Sequence, residues 1–135
     1  MRVLALDVGT VRIGVAVTDE EGKYALAYSV IPAEPRSVAI AAVLDILRTE
    51  KTERILVGLP LRLDGTEGQQ VRSVRDFIED LQKQDVPAVE YIDERFTTSV
   101  GTDVAKLKGA SSPDAEAARL ILQTWLDRQS LASPS

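Results

Sequence analysis

The chain has 135 residues, a formal net charge of −5, and neither His nor Cys. That length suits one compact domain over 1–135, able to bury a core without disulfides or a structural metal. The missing imidazole and thiol exclude a His or Cys zinc site, a Ser-His-Asp triad and a cysteine nucleophile, and the negative balance excludes a protein that coats nucleic acid over its whole surface.

Residues 2–8 read as a largely buried strand carrying an acid, Asp7, where a secretory leader would need a long apolar run, so a cytoplasmic protein is expected. After a turn holding Gly9, residues 12–18 alternate Ile13, Val15 and Val17 as a second strand, and past Gly22 residues 24–30 form a third, giving an antiparallel meander. The stretch Asp7-Val8-Gly9-Thr10-Val11-Arg12-Ile13-Gly14 is the most informative of the chain. An acid closing a buried strand can hold a cation, Gly9 permits close approach of a phosphate, and Arg12 offers that phosphate a planar donor. The same residues also fit a plain hairpin, with Asp7 capping the turn and Arg12 its surface partner.

From Pro35 the period changes. Ile40, Val43, Leu44 and Leu47 fall at helical spacing, and an apolar run over 54–57 leads into Gly58-Leu59-Pro60. Val71, Val74, Ile78 and Leu81 mark a second helix, and residues 88–92 form a fifth strand that delivers Asp93 and Glu94. Two adjacent acids directly after an apolar strand are costly if buried without a cation, although Glu94 at the surface with Arg95 as its partner is the plainer alternative. A helix over 97–108 follows, with Thr97 or Thr98 as its cap. A last helix runs over 113–126 with Ala118, Ile121, Leu122 and Trp125 on one face, and 130–135 is a flexible tail. Ser112-Pro113-Asp114 fits a helix start, with Asp114 at the positive helix end, which accounts for that acid without any metal. No run approaches the roughly 20 apolar residues that span a bilayer, so no membrane partner is expected.

This order implies an α/β fold, a mixed five-stranded sheet with helices packed over it. Functional groups in such sheets collect at the carboxyl ends of strands, where Asp7, the Gly58 loop and Glu94 lie. Carboxylates without His or Cys favour the hard cations Mg²⁺ and Mn²⁺.

Up to Leu126 the chain resembles the YqgF family of bacterial RuvX-type nucleases, itself similar in fold to the Holliday junction resolvase RuvC. The resemblance rests on Asp7-x-Gly9-x-x-Arg12-x-Gly14, then Gly58-Leu59-Pro60 with Asp64-Gly65-Thr66-Glu67-Gly68, then Asp93-Glu94-Arg95-x-Thr97, and Lys108-Gly109 before Asp114. It implies a ribonuclease H-like fold, with Asp7, Glu94 and Asp114 as the catalytic, metal-binding acids and Gly9, Arg12, Gly65, Arg95 and Lys108 as substrate contacts. The implied chemistry is phosphodiester hydrolysis with Mg²⁺ or Mn²⁺, two ions about 3.5–4 Å apart. The implied task is processing the 5′ end of pre-16S rRNA, with nucleic acid as the partner. The stretch 110–113 is more polar than the family's residue before the last Asp, and bears on how Asp114 is placed.

Other readings compete. Resolution of Holliday junctions or other branched DNA uses the same site and calls for a homodimer, because a junction has paired scissile strands. Asp7-Val8-Gly9-Thr10 also resembles the phosphate loop of actin-like ATPases and sugar kinases, but those enzymes close two such domains around a nucleotide. A catalytically silent nucleic-acid-binding module is the third, against which the acidic set counts and for which only 4% aromatic content leaves few stacking platforms.

Overall fold

The computed structural model describes residues 1–96 and 112–132. The helix expected over 97–108, and Lys108 with it, lie outside the described residues.

Strand β1 (Val3–Val8) is the centre of a five-stranded sheet. The hydrogen bond from the Gly9 amide to the Arg12 carbonyl (2.9 Å) closes the turn into β2 (Arg12–Thr18), which lies antiparallel to β1. Strand β3 (Ala25–Pro32) adds antiparallel to β2 and forms one edge, where Pro32 at its end has no amide to leave unpaired. On the other side of β1, β4 (Arg54–Leu59) and β5 (Ala88–Asp93) add in parallel, giving the order β3-β2-β1-β4-β5. The mixed sheet anticipated from the sequence is therefore present, and β3 reaches two residues beyond the anticipated Val30.

Alternation along the strands gives the sheet two apolar faces. Leu4, Leu6, Ile13, Val15, Val17, Ile55 and Val57 face α1 (Arg36–Glu50) and α2 (Gln69–Leu81). Val3, Ala5, Ala16, Leu56 and Ile92 face α3 (Pro113–Ala132), which brings Ala118, Ile121, Leu122 and Trp125 down onto them. Small Ala5 and Ala16 let α3 lie close to the sheet, and the Trp125 indole N–H donates to Glu90 Oε2 (2.9 Å), so its polar edge is satisfied.

Helix α2 buries Val71, Val74, Ile78 and Leu81 as their spacing predicts, and Phe77 with them. Helix α1 is rotated from expectation: its buried face is Ala39, Val43, Ile46 and Leu47, while Ile40 and Leu44 are only partly covered. Helix α3 runs on past Leu126 to Ala132. Among the described residues, no helix is long and apolar enough to cross a membrane.

Candidate active site

Asp7 stands on β1 between two glycines. In the antiparallel ladder Asp7 is opposite Gly14 of β2. The parallel ladder pairs Leu6 with Val57, so one further step sets Asp7 beside Gly58 of β4. Opposed residues point to the same face, here the α3 face that Val3 and Ala5 share with Asp7. Across three strands, Asp7 is thus the only side chain in its row, and both neighbouring positions are open for other groups to descend.

Other acids fill both openings. A Cβ added at Gly58 would stand 2.6 Å from Glu94 Oε1 and 2.7 Å from Glu94 Cγ, so the Glu94 side chain lies directly over Gly58. A Cβ added at Gly14 would collide with the backbone carbonyl of Asp114, so the first turn of α3 rests on Gly14. Glu94 hydrogen-bonds to Asp7. Burial, then that hydrogen bond and the Asp7 charge, then the Asp93 charge, push the Glu94 carboxyl up to about 8, so near neutral pH it keeps its proton and donates it to Asp7.

The two adjacent acids at the end of β5 separate cleanly. Asp93 is the last strand residue and Glu94 opens the short 3-10 turn Glu94–Phe96. Asp93 accepts from Arg95 Nε (2.9 Å) and Nη2 (2.7 Å), which holds its carboxyl below the usual range. Arg95 Nη1 donates to the Leu63 carbonyl (3.0 Å). Through these bonds Arg95, expected as a substrate contact, ties the loop after β4 to the end of β5; Glu94 is not the acid it pairs with among them.

Asp114 occupies the first turn of α3 and its Oδ2 accepts from Arg12 Nε at 2.8 Å. The expected metal ligand and the expected phosphate contact are therefore each other's partners, on side chains 34% and 60% exposed, where water and ligands can compete for both. Ser112 Oγ accepts from the Ala115 amide (3.3 Å), so the helix cap read from the sequence is Ser112. Among the described residues, no three carboxylates are grouped tightly enough to hold one ion.

A cleft of about 320 Å³ opens beside the acids, lined by Asp7, Val8, Gly9, Thr10, Pro60, Gln70, Ser73 and Glu94. Gly9 lines it as expected; Gly65 is not among those lining residues and sits in the braced loop, its amide donating to the Arg62 carbonyl (2.8 Å). Gln70 and Ser73 were not singled out from the sequence. They lie on the exposed side of α2, three residues apart and so on one face, which is the signal that could have found them.

The donor set fits a hard divalent cation. Two carboxylates sharing a proton are the arrangement such a cation replaces, since it favours both in the charged form, and every donor here is oxygen. Asp7 and Glu94 are in place to act together, with Asp114 one ion pair away.

The model of the RuvX family, described as Holliday junction resolvase, matches residues 1–128. A relative from Maridesulfovibrio salexigens is 36% identical over 95% of this chain and 99% of its own length; one from Anaeromyxobacter dehalogenans strain 2CP-1 is 38% identical over 96% and 98%. Both bear the name "Putative pre-16S rRNA nuclease". Among solved structures, Thermus thermophilus RuvC superposes with a TM-score of 0.63 at 18% identity, covering 96% of each chain. The same protein in complex with Holliday junction substrate gives 0.66 at 17% identity, covering 98% of each. The fold is thus ribonuclease H-like, and with the family match running through nearly the whole chain, the protein belongs to the RuvX family.

Proposed function

We propose that this chain is a divalent-cation-dependent nuclease that hydrolyses phosphodiester bonds in processing the 5′ end of pre-16S rRNA. The observation that carries the reading is the Asp7–Glu94 pair, gathered over Gly58 at the head of an open cleft. The names of the full-length relatives supply the substrate. Asp7 and Glu94 would hold the first ion and Asp114, with Asp7, the second; Mg²⁺ or Mn²⁺ supplies an activated water and charge stabilisation at the leaving oxygen.

The chain's own residues do the rest. Glu94 gives up its proton when its carboxylate becomes a ligand. Arg12, exposed and paired with Asp114, exchanges Asp114 for a substrate phosphate, which frees Asp114 for the site. Asp93 and Arg95 keep the end of β5 fixed to the loop after β4, so Glu94 stays over Gly58. The test is a cleavage panel of single-stranded RNA, single-stranded DNA and four-way junction in Mg²⁺, Mn²⁺ and EDTA. Cleavage of RNA in Mn²⁺, absent in EDTA, is expected; equal cleavage in EDTA would sink the reading. Resolution of Holliday junctions is the second reading, favoured by the family's description and tested by the junction arm of the same panel.

A further inference from the structure

The cleft does not stop at the acids. A second compartment of about 150 Å³, lined by Val8, Gly9, Thr10, Ala33, Glu34, Arg36, Ser73 and Phe77, adjoins the first and shares Val8, Gly9, Thr10 and Ser73 with it. Its chemistry differs from what a phosphate requires. The one cation in it, Arg36, donates to Asp80 (2.9 Å), and the Glu34 carboxylate stands on the same wall. The continuous cleft is lined instead by neutral residues that can both donate and accept, Thr10, Gln70 and Ser73, none of whose side chains has a hydrogen bond within the described residues. The floor is apolar, from Val8, Ala33 and Phe77.

An apolar floor with a neutral, two-way hydrogen-bonding rim is the environment that a planar heterocycle prefers, and a carboxylate on the wall repels a phosphate. We propose that this compartment seats the base of an unpaired nucleotide next to the scissile phosphate, with Val8, Ala33 and Phe77 beneath its ring, Thr10 and Ser73 on its edge, and Gln70 on the wall of the adjoining cleft. The proposal rests on the nuclease reading and narrows it. A base inside a duplex cannot enter, so the substrate must be single-stranded at the cut, and Gln70 and Ser73 are specificity residues rather than catalytic ones.

The experiment uses the full chain with Asp7→Asn, which retains substrate without cutting it, and short single-stranded RNAs each carrying one abasic nucleotide at a different position. Binding is read by fluorescence anisotropy, and the cut is mapped separately with the wild type in Mn²⁺. One abasic position, beside the mapped cut, should weaken binding by roughly tenfold, the scale of one lost base contact. Adding Ser73→Phe, which fills the compartment, should lower affinity for intact RNA to that for the abasic RNA and erase the contrast. Gln70→Leu, which leaves the space open, should reduce the contrast in a protein whose melting is unaltered. Equal affinity across the abasic set, duplex RNA bound as tightly as single strands, or an undiminished contrast in Ser73→Phe would each overturn the proposal. A binding contrast in Asp7→Asn together with a wild type that cuts nothing in Mn²⁺ would instead count against the nuclease reading and leave the base seat standing.

Discussion

Glu94 carries the strongest single electrostatic signature, and it makes the site sensitive to pH in two ways. Its carboxyl is pushed up to about 8 by burial and by Asp7, against an ordinary 4.5. Mn²⁺ must displace that proton, so apparent Mn²⁺ affinity should rise about tenfold per pH unit up to about 8 and level off above it, and calorimetry in two buffers should detect close to one proton released. The stability effect has the opposite direction. A folded-state value raised above the unfolded one means that the contribution of Glu94 to the stability of the metal-free protein is fully present below about 4.5 and is lost as pH rises through about 8. Glu94→Gln should flatten that part of the melting profile in EDTA, and an unflattened profile would remove Glu94 as its cause. Asp93→Asn should behave differently: it weakens the bonds to Arg95 that fix the end of β5 to the Leu63 loop, lowering melting and weakening Mn²⁺ affinity much less than Glu94→Gln does. Asp114→Asn loses the Arg12 pair, so metal-free melting should fall slightly, not rise as mutual repulsion of three crowded acids would require. Spacing alone left Asp93 and Glu94 alike and the family resemblance singled out Glu94; the turn after β5 is what sets Glu94 towards Asp7 and Asp93 towards Arg95.

Elements create the site through what two strands leave out. Gly14 of β2 and Gly58 of β4 are far apart in the chain yet flank Asp7, and each admits a different neighbour: backbone of α3 at Gly14, the side chains of Glu94 and Ile121 at Gly58. Alanine at the two positions should therefore have different costs. Gly14→Ala must push the first turn of α3 away, with a loss of roughly 1–3 kcal/mol in urea unfolding, the usual cost of forced overpacking. Gly58→Ala meets only side chains, those of Glu94 and the buried Ile121, which can shift where the α3 backbone cannot, so it should cost less stability than Gly14→Ala and lose Mn²⁺ affinity and cleavage. Identical stability loss in both would contradict this account. The strands, α2 and the inward face of α3 were legible because period-two and period-3.6 burial are written locally. The roles of Gly14 and Gly58 were not, since a missing side chain acquires its meaning from a cross-strand partner. The rotation of α1 was equally hidden: Ala39 is fully buried, and a small residue gives little sign of which way it faces.

At the scale of the whole molecule, a net charge of −5 requires any nucleic-acid affinity to be local, and Arg12 is an exposed cation held by a single carboxylate pair with Asp114. Arg12→Ala should weaken RNA binding and lower the slope of log affinity against log salt by roughly one unit; an unchanged slope would leave Arg12 as a structural partner of Asp114 only. The overall order of strands and helices followed from the sequence because each unit was long and periodic, while the Gln70 and Ser73 wall of the cleft emerged only when α2 was laid against the β1–β2 turn. The central claim is that Asp7 and Glu94 form one cation-dependent phosphodiesterase site. The most direct measurement is Mn²⁺-dependent cleavage of single-stranded RNA by the wild type, Asp7→Asn and Glu94→Gln at matched folding, with EDTA as control. Cleavage by the wild type in Mn²⁺ alone, lost by at least two orders of magnitude (~100-fold) in each variant, is the predicted result. Cleavage that persists in EDTA, or in either variant at close to the wild-type rate, would contradict it.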